Sequence, residues 1–255
     1  RDAGSAGAPN LAGLIAAVLR DTDIPRIRLG SVEPWDLPED FWQLFSDPRL
    51  MPHLHLPLQS GADTVLQRMA RRCRTDAFAR LVADARSAIP DFQVSTDVIV
   101  GFPGETRGEW RQTMDFVAAT GFSHLHIFPY SPRAGTRAAA MAEQVPEAVK
   151  RERARALHEV GAVLKTAALS ALAGHTLPVL LEGDNLDAAG PYAAGFTPGY
   201  LPVRLRGAPA DAVGRIVPAR LLRCTDDAAA LEARLDTAAS ATMPPDPGAA
   251  TRPAQ

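Results

Sequence analysis

The sequence has little cysteine: among 255 residues there are two, Cys73 and Cys224. Two distant cysteines cannot build a disulfide framework, and neither a CxxC pair nor a Cys/His zinc spacing occurs. Such usage fits a reducing cytoplasm. Lysine is nearly absent too. Of 27 basic residues only Lys150 and Lys165 are lysine, a bias that reads as genome composition rather than function. No sign of charge is in excess, the net charge being −2. That excludes a strongly basic nucleic-acid binder and leaves only local basic patches for such a role. No apolar run approaches the roughly 18 residues that a membrane span needs, and no signal-peptide pattern stands at the start, so no membrane partner is expected. The first residue is Arg1 rather than Met, which suggests a chain that starts inside a longer protein. What is present is ordinary for a folded domain. Hydrophobic residues make up 46%, enough to exclude disorder as the main state. At about 150 residues per domain, the length suggests one large domain with a small one attached.

Short apolar runs alternate with amphipathic stretches. Asn10 is placed to cap a helix over Leu11–Arg20, and Ile24–Glu33 (IPRIRLGSVE) reads as a strand. Helices are expected at Leu37–Ser46 and Asp63–Arg72, with a strand at His53–Ser60 (HLHLPLQS) between them. Thr75 caps a helix to Ile89, and Phe92–Phe102 (FQVSTDVIVGF) is the clearest strand, rich in β-branched residues. Thr106 and Glu109 have the capping-box spacing and open a helix to Thr120; His124–Tyr130 (HLHIFPY) is the next strand. Strands separated by helices of this length indicate βαβ units and a parallel sheet or barrel. Pro146 then opens a long helix ended by Gly174. From His175 to Thr225 short runs broken by Gly and Pro suggest a small antiparallel barrel or sandwich. Asp236–Gln255, rich in Ala, Pro and Thr, reads as a disordered tail.

Strands covered on both faces should be apolar throughout, and these are not. Ser31 and Glu33, His55 and Gln59, Ser95 and Asp97, and His124, His126 and Tyr130 each share a parity, so each set points one way. Taken singly, such residues are most often satisfied core groups or loop residues. Taken as four sets towards the C-terminal ends of strands, they mark the place where β/α barrels hold ligands. The turns agree. Gln59-Ser60-Gly61 leaves one strand, and Val100-Gly101-Phe102-Pro103-Gly104-Glu105-Thr106 leaves the next and runs into a capped helix, where free N–H groups can meet a ligand. No Walker loop, GxGxxG, nucleophile elbow or HExxH is present. His53, His55, His124 and His126 alternate along strands without a third type of ligand beside them in sequence, so they are read as pocket lining and no metal site is expected.

As a set, Ile27–Pro34 with Trp35-Asp36 (IRLGSVEPWD), His53–Gly61 (HLHLPLQSG), Thr96–Thr106 (TDVIVGFPGET) and Phe128–Thr136 (FPYSPRAGT) resemble the methylthiotransferase branch of the radical S-adenosylmethionine enzymes, in order and spacing through residue 225. The EPWD and FPYSPR variants resemble the subgroup that methylthiolates N6-threonylcarbamoyladenosine beside the tRNA anticodon. The resemblance implies an α/β fold. A partial (β/α) barrel of the radical SAM type would cover residues 1–140, a connecting helix 146–174, and a small all-β TRAM-like domain 175–226, ahead of the tail at 236–255. It implies S-adenosylmethionine and [4Fe–4S] clusters as cofactors. One cluster would cleave S-adenosylmethionine to a 5′-deoxyadenosyl radical, with sulfur and methyl arriving from an auxiliary cluster and a second S-adenosylmethionine. The cofactor pocket would be built by Ser31, Glu33, Gln59, Ser60, Asp97, the Val100-Gly101 backbone, and Pro129 with Tyr130 near the adenine. The partner would be a tRNA anticodon stem-loop.

The family's CxxxCxxC loop and its three further cysteines are not in this sequence, so the chain resembles the C-terminal part of an enzyme, inactive alone. Arg68, Arg71, Arg72 and Arg74 read as a solvated face by default. In the C-terminal module Tyr200, Arg204, Arg206 and Arg220, with Arg215 and Arg223, read equally as a nucleic-acid groove or as solvated surface. Three other readings stay open: the isopentenyladenosine or ribosomal-protein branch, a non-catalytic RNA-binding remnant, and an unrelated β/α-barrel enzyme.

Overall fold

The computed structural model describes residues 10–38, 40–209 and 211–240. Helix α1 spans Leu11–Asp21, and the Asn10 side chain caps it by accepting from the Gly13 N–H at 2.8 Å. The expected strand at Ile24–Glu33 does not form. Only isolated bridges remain, Ile27 to Leu50 and Ser31 to His55, because Pro25, Gly30 and Pro34 break the ladder of a segment paired on one side only. The helix expected at Leu37–Ser46 is replaced by 3₁₀ turns over Pro34–Asp36 and Phe41–Ser46. There the rings of Phe41, Trp42 and Phe45 pack on one another, and Trp42 and Phe45 also on Phe92; tertiary packing outweighs helical period.

Strand β1 is short, His53–His55. Pro57 lacks the N–H to continue it, and the chain rejoins the sheet only at the Gln59–Val98 bridge. Helices α2 (Asp63–Arg68) and α3 (Thr75–Ala88) lead to β2 (Gln93–Val100); α4 (Arg107–Thr120) follows with its Thr106/Glu109 capping box complete, then β3 (His124–Pro129). The three strands pair in parallel in the order β1-β2-β3. One face of the sheet is covered: Leu54, Val94, Val98 and Leu125 join Phe78, Val82 and Val117 from the helices in one core. The other face carries Asp97, Ile99, His124, His126 and Phe128, none of them fully buried.

Helix α5 (Glu147–Ala171) packs along β3 and runs on into a second unit. Strands β4 (Thr176–Asp187), β5 (Gly190–Phe196), β6 (Pro202–Arg206), β7 (Ile216–Cys224) and β8 (Leu231–Leu235) close a barrel in the order β4-β5-β6-β8-β7. The closing strand β8 lies beyond the boundary expected at 226, and it pairs with β6 in parallel. Its residues, LEARL, are helix formers that barrel closure overrides. Leu169 and Leu172 reach into the barrel core beside Val179, Leu181, Leu205 and Leu221. A short helix α6 (Thr237–Ser240) occupies the first part of the expected tail, and Asp236 accepts from the Thr176 hydroxyl at 2.8 Å; residues 241–255 lie outside the described ones.

The two units also meet directly. Arg26 donates to the carbonyls of Pro178 and Phe196, and Arg28 lies over the Tyr200 ring at 3.8 Å. Among the described residues no helix is long and apolar enough to cross a membrane.

Candidate functional site

The C-terminal ends of β1–β3 form a cavity of about 470 Å³ lined by Gln59, Asp97, Ile99, Phe128, Pro129, Tyr130, Ser131, Arg133, Thr136 and Ala138. Gln59 enters it from a left-handed backbone, φ 74°, fixed by its N–H to the Asp97 carbonyl and its carbonyl to the Ile99 N–H. The Tyr130 ring stands edge-on to Phe102 at 5.3 Å, and its Oη is buried with no hydrogen-bond partner among the described residues. Four of the residues expected in a pocket, Gln59, Asp97, Pro129 and Tyr130, are therefore brought together. Phe128, Ile99 and Arg133 were not foreseen; Phe128 and Ile99 carry the same strand parity as His126 and Asp97, which was the available signal.

The other expected pocket residues stand elsewhere. Ser60 is fully buried, its hydroxyl 3.2 Å from Thr113 Oγ1 on α4. Glu33 is clamped by Arg71 at 2.7 Å, with the guanidinium stacked over Trp35, and Ser31 is exposed on the irregular segment before it. Val100 is buried in the core, and the Gly101 N–H is already used, donating to Glu105 Oε2 at 2.8 Å. Arg153 from α5 pairs with the same oxygen, while Lys150 donates to the Tyr130 carbonyl at 2.8 Å. Burial pushes the Glu105 carboxyl above its ordinary range even so. Helix α5 thereby pins the ends of both β2 and β3, a role that the sequence pattern of a long amphipathic helix did not disclose.

Below the cavity lies a layer of imidazoles. Ser95 Oγ sits 3.0 Å from both His53 Nε2 and His55 Nδ1, and His55 Nε2 is 3.3 Å from Asp97 Oδ1. The sheet register sets Asp97 directly opposite His126 and His124 opposite Ser95. A third kind of ligand does stand beside the histidines, contrary to expectation, because strand pairing joins residues far apart in sequence. His53 is buried; desolvation first, then Arg28, holds its pKa down to about 3, so it is neutral. Burial also lowers His124.

The residues expected to contact RNA are spread over different surroundings. Tyr200 stacks on Phe196 at 4.4 Å beneath Arg28. Arg204 is ion-paired with Asp187 and Asp227, and Arg206 with Asp187 and Glu232. Arg220 lines a separate depression with Arg234 and Asp236. Of the other arginines, Arg68 pairs with Glu109 at 2.8 Å.

Residues 6–117 match the family model of the Radical SAM superfamily. This chain carries a Radical SAM domain and is homologous to tRNA methylthiotransferases. It is 38% identical to a tRNA-2-methylthio-N(6)-dimethylallyladenosine synthase of Chloroflexus aurantiacus over 84% of this chain and 46% of that protein. It is 43% identical to the threonylcarbamoyladenosine tRNA methylthiotransferase MtaB of Thermotoga maritima over 59% and 35%, and 35% identical to the MtaB of Bacillus subtilis over 84% and 48%. The chain thus spans about half the length, or less, of the curated relatives it matches. S-adenosylmethionine and an iron–sulfur cluster are the cofactors of this family. The cavity fits the first: its volume lies in the range of small-ligand sites, and it is lined by Gln59, Asp97, Phe128 and Tyr130. The donor set does not fit the second. Cys73 is buried in the first core, where desolvation raises its pKa, and Cys224 sits on the barrel 3.4 Å from Ser170. Two thiols in separate cores cannot ligate a cluster that needs three or four converging thiolates.

Proposed function

We propose that this chain supplies the nucleoside-binding side of a cytoplasmic tRNA methylthiotransferase acting on N6-threonylcarbamoyladenosine next to the anticodon, and that it is inactive without the cluster-bearing part. The observation that carries the reading is the convergence of Gln59, Asp97, Pro129 and Tyr130 on one cavity at the strand ends. In it the Asp97 carboxylate accepts from ribose hydroxyls or an ammonium group, and the Gln59 amide does either job. The Phe128 face and the Pro129-Tyr130 edge pack a flat base. Bound there, S-adenosylmethionine supplies the family's alkyl and methyl chemistry. Ser31, Glu33, Ser60 and the Val100-Gly101 turn, which the resemblance also assigns to the cofactor, stand outside this cavity and are not part of the proposed pocket. The β-barrel, in the position of a TRAM domain, contacts the RNA through Tyr200, Arg204, Arg206 and Arg220.

The motifs EPWD and FPYSPR favour the threonylcarbamoyl branch, while the curated relatives include enzymes of both the threonylcarbamoyl and the dimethylallyl type. The test is nucleoside mass spectrometry of tRNA from a strain lacking the gene. Loss of the 2-methylthio mark from threonylcarbamoyladenosine, with the dimethylallyladenosine species unchanged, is expected. Loss from the dimethylallyl species instead moves the protein to the other branch, and no change in either removes the reading.

A further inference from the structure

We infer that the layer beneath the cavity is a binding site for a single transition-metal ion, held by His55, Asp97 and His126. The inference does not depend on which tRNA is modified; it shares the Asp97 carboxylate with the proposed cofactor pocket, and its test uses the metal alone. One ligand atom from each residue can be chosen so that no two are farther apart than 4.8 Å. Ligands about 2.1 Å from a tetrahedral centre stand about 3.4 Å from one another, and His55 Nε2 with Asp97 Oδ1 already stands at 3.3 Å. His126 closes the remainder. It is an exposed side chain on the sheet's last strand, directly across from Asp97, with its ring 5.4 Å from that of His55 and 4.6 Å from that of His124.

The supporting contacts are those a metal-binding imidazole requires. A ligand nitrogen needs a free lone pair, so the other ring nitrogen must carry the proton and find an acceptor. His55 has one: its Nδ1 is 3.0 Å from Ser95 Oγ. When His55 Nδ1–H donates to Ser95, the Ser95 hydroxyl is free to donate to His53 Nε2, also at 3.0 Å. The chain from His53 through Ser95 thus fixes His55 with Nε2 aimed at Asp97. In the absence of an ion the same atoms reverse, His53 Nε2–H donating to Ser95, Ser95 to His55 Nδ1, and His55 Nε2–H to Asp97, so the site is stable empty.

Two imidazoles and one carboxylate on one side, with the cavity on the other, leave coordination positions open towards a ligand. This donor set suits Zn²⁺, Co²⁺ or Fe²⁺ and not Mg²⁺ or Ca²⁺, which require oxygen. Neither cysteine takes part, since Cys73 is enclosed in the core and Cys224 lies on the β-barrel.

The experiment is isothermal titration of the purified chain with Zn²⁺ near pH 7.5, repeated with Co²⁺ and followed by visible absorbance. Saturation at one equivalent with micromolar or tighter affinity, and a ligand-field band of four- or five-coordinate Co²⁺, are expected. Asp97→Asn and His126→Ala should each weaken Zn²⁺ binding at least tenfold. Both keep the far-ultraviolet circular dichroism of the parent, because one is isosteric and the other exposed. His158→Ala, on the exposed face of α5, and Cys224→Ser should bind as the parent does. Absence of a saturable site, unchanged binding in folded Asp97→Asn and His126→Ala, or loss in either control variant overturns the inference.

Discussion

At the scale of single residues, the burial of His53 has a measurable consequence across mild pH. It is neutral in the folded chain with a pKa of about 3, against an ordinary value of 6.5. The unfolded chain therefore binds the proton first. Stability is complete above pH 6.5 and falls as the pH drops towards 3, because only the unfolded state gains the proton in that window. Exchange of one whole proton sets the limit of the slope at about 1.4 kcal/mol per pH unit. Urea denaturation at pH 7.5 and 5.0 should show a loss for the parent chain that is smaller in His53→Gln, which keeps a polar side chain against Ser95 but does not titrate. An equal pH dependence in the two would place the acid sensitivity elsewhere. Residues like this mark the limit of what a sequence discloses. Period-two parity put His55, Asp97 and His126 each on a definite face. Their meeting depends on register between strands about 30 to 40 residues apart, which no local pattern encodes. Ser60 failed for the same reason in reverse: it follows Gln59 in the motif, yet the left-handed turn at Gln59 sends the hydroxyl back to Thr113.

At the scale of elements, much that was locally determined was legible, although Arg74 and not Thr75 stands at the N-cap of α3 and α2 ends at Arg68 rather than Arg72. The Thr106/Glu109 box opens α4 at the residue expected, and Gly121 ends it in the left-handed conformation. The long helix α5 and the β-rich module after it also follow the pattern of Gly and Pro. Elements held by tertiary packing were not legible: the aromatic 3₁₀ turns at Phe41–Ser46 and the strand β8, whose composition favours a helix. The β4–β5 pair shows how close such packing is. A Cβ on Gly195 would collide with the Leu180 carbonyl oxygen and meet Val179 Cγ1 at 3.0 Å. Neither a backbone oxygen in a ladder nor a buried valine can withdraw, so Gly195→Ala must part the strands. The expected loss is at least about 2 kcal/mol, read as a lower urea midpoint with an unchanged slope. Gly207→Ala is the useful contrast, since nothing lies within 4 Å of its Cβ and only its φ of +70° opposes the change; that cost should stay near 1 kcal/mol.

At the scale of the whole molecule, two cores that share no residue are joined by one rod and one seam. Helix α5 contributes Leu157 to the first core and Leu169 to the second, and its 25 residues span about 37 Å. The seam is smaller and polar: Arg26 on the carbonyls of Pro178 and Phe196, and Tyr200 held between Phe196 and Arg28 with the His53 ring 5.3 Å away. Tyr200 adopts φ 62°, a conformation that a bulky side chain occupies only when its surroundings compel it. The stacking and the cation–π contact are what compel it here, together worth about 1–3 kcal/mol. Removing them should therefore act on the coupling between the units more than on either core. For Tyr200→Gly the backbone strain is relieved at the same time, so its cores should be at least as stable as those of Tyr200→Ala. Calorimetry of the parent should give one transition, and both variants should separate it into two, the β-barrel and the α/β unit melting independently. A single transition at the parent's Tm in either variant would mean that α5 and the Arg26 hydrogen bonds suffice to couple the units, and that the ring at position 200 is not what holds them together.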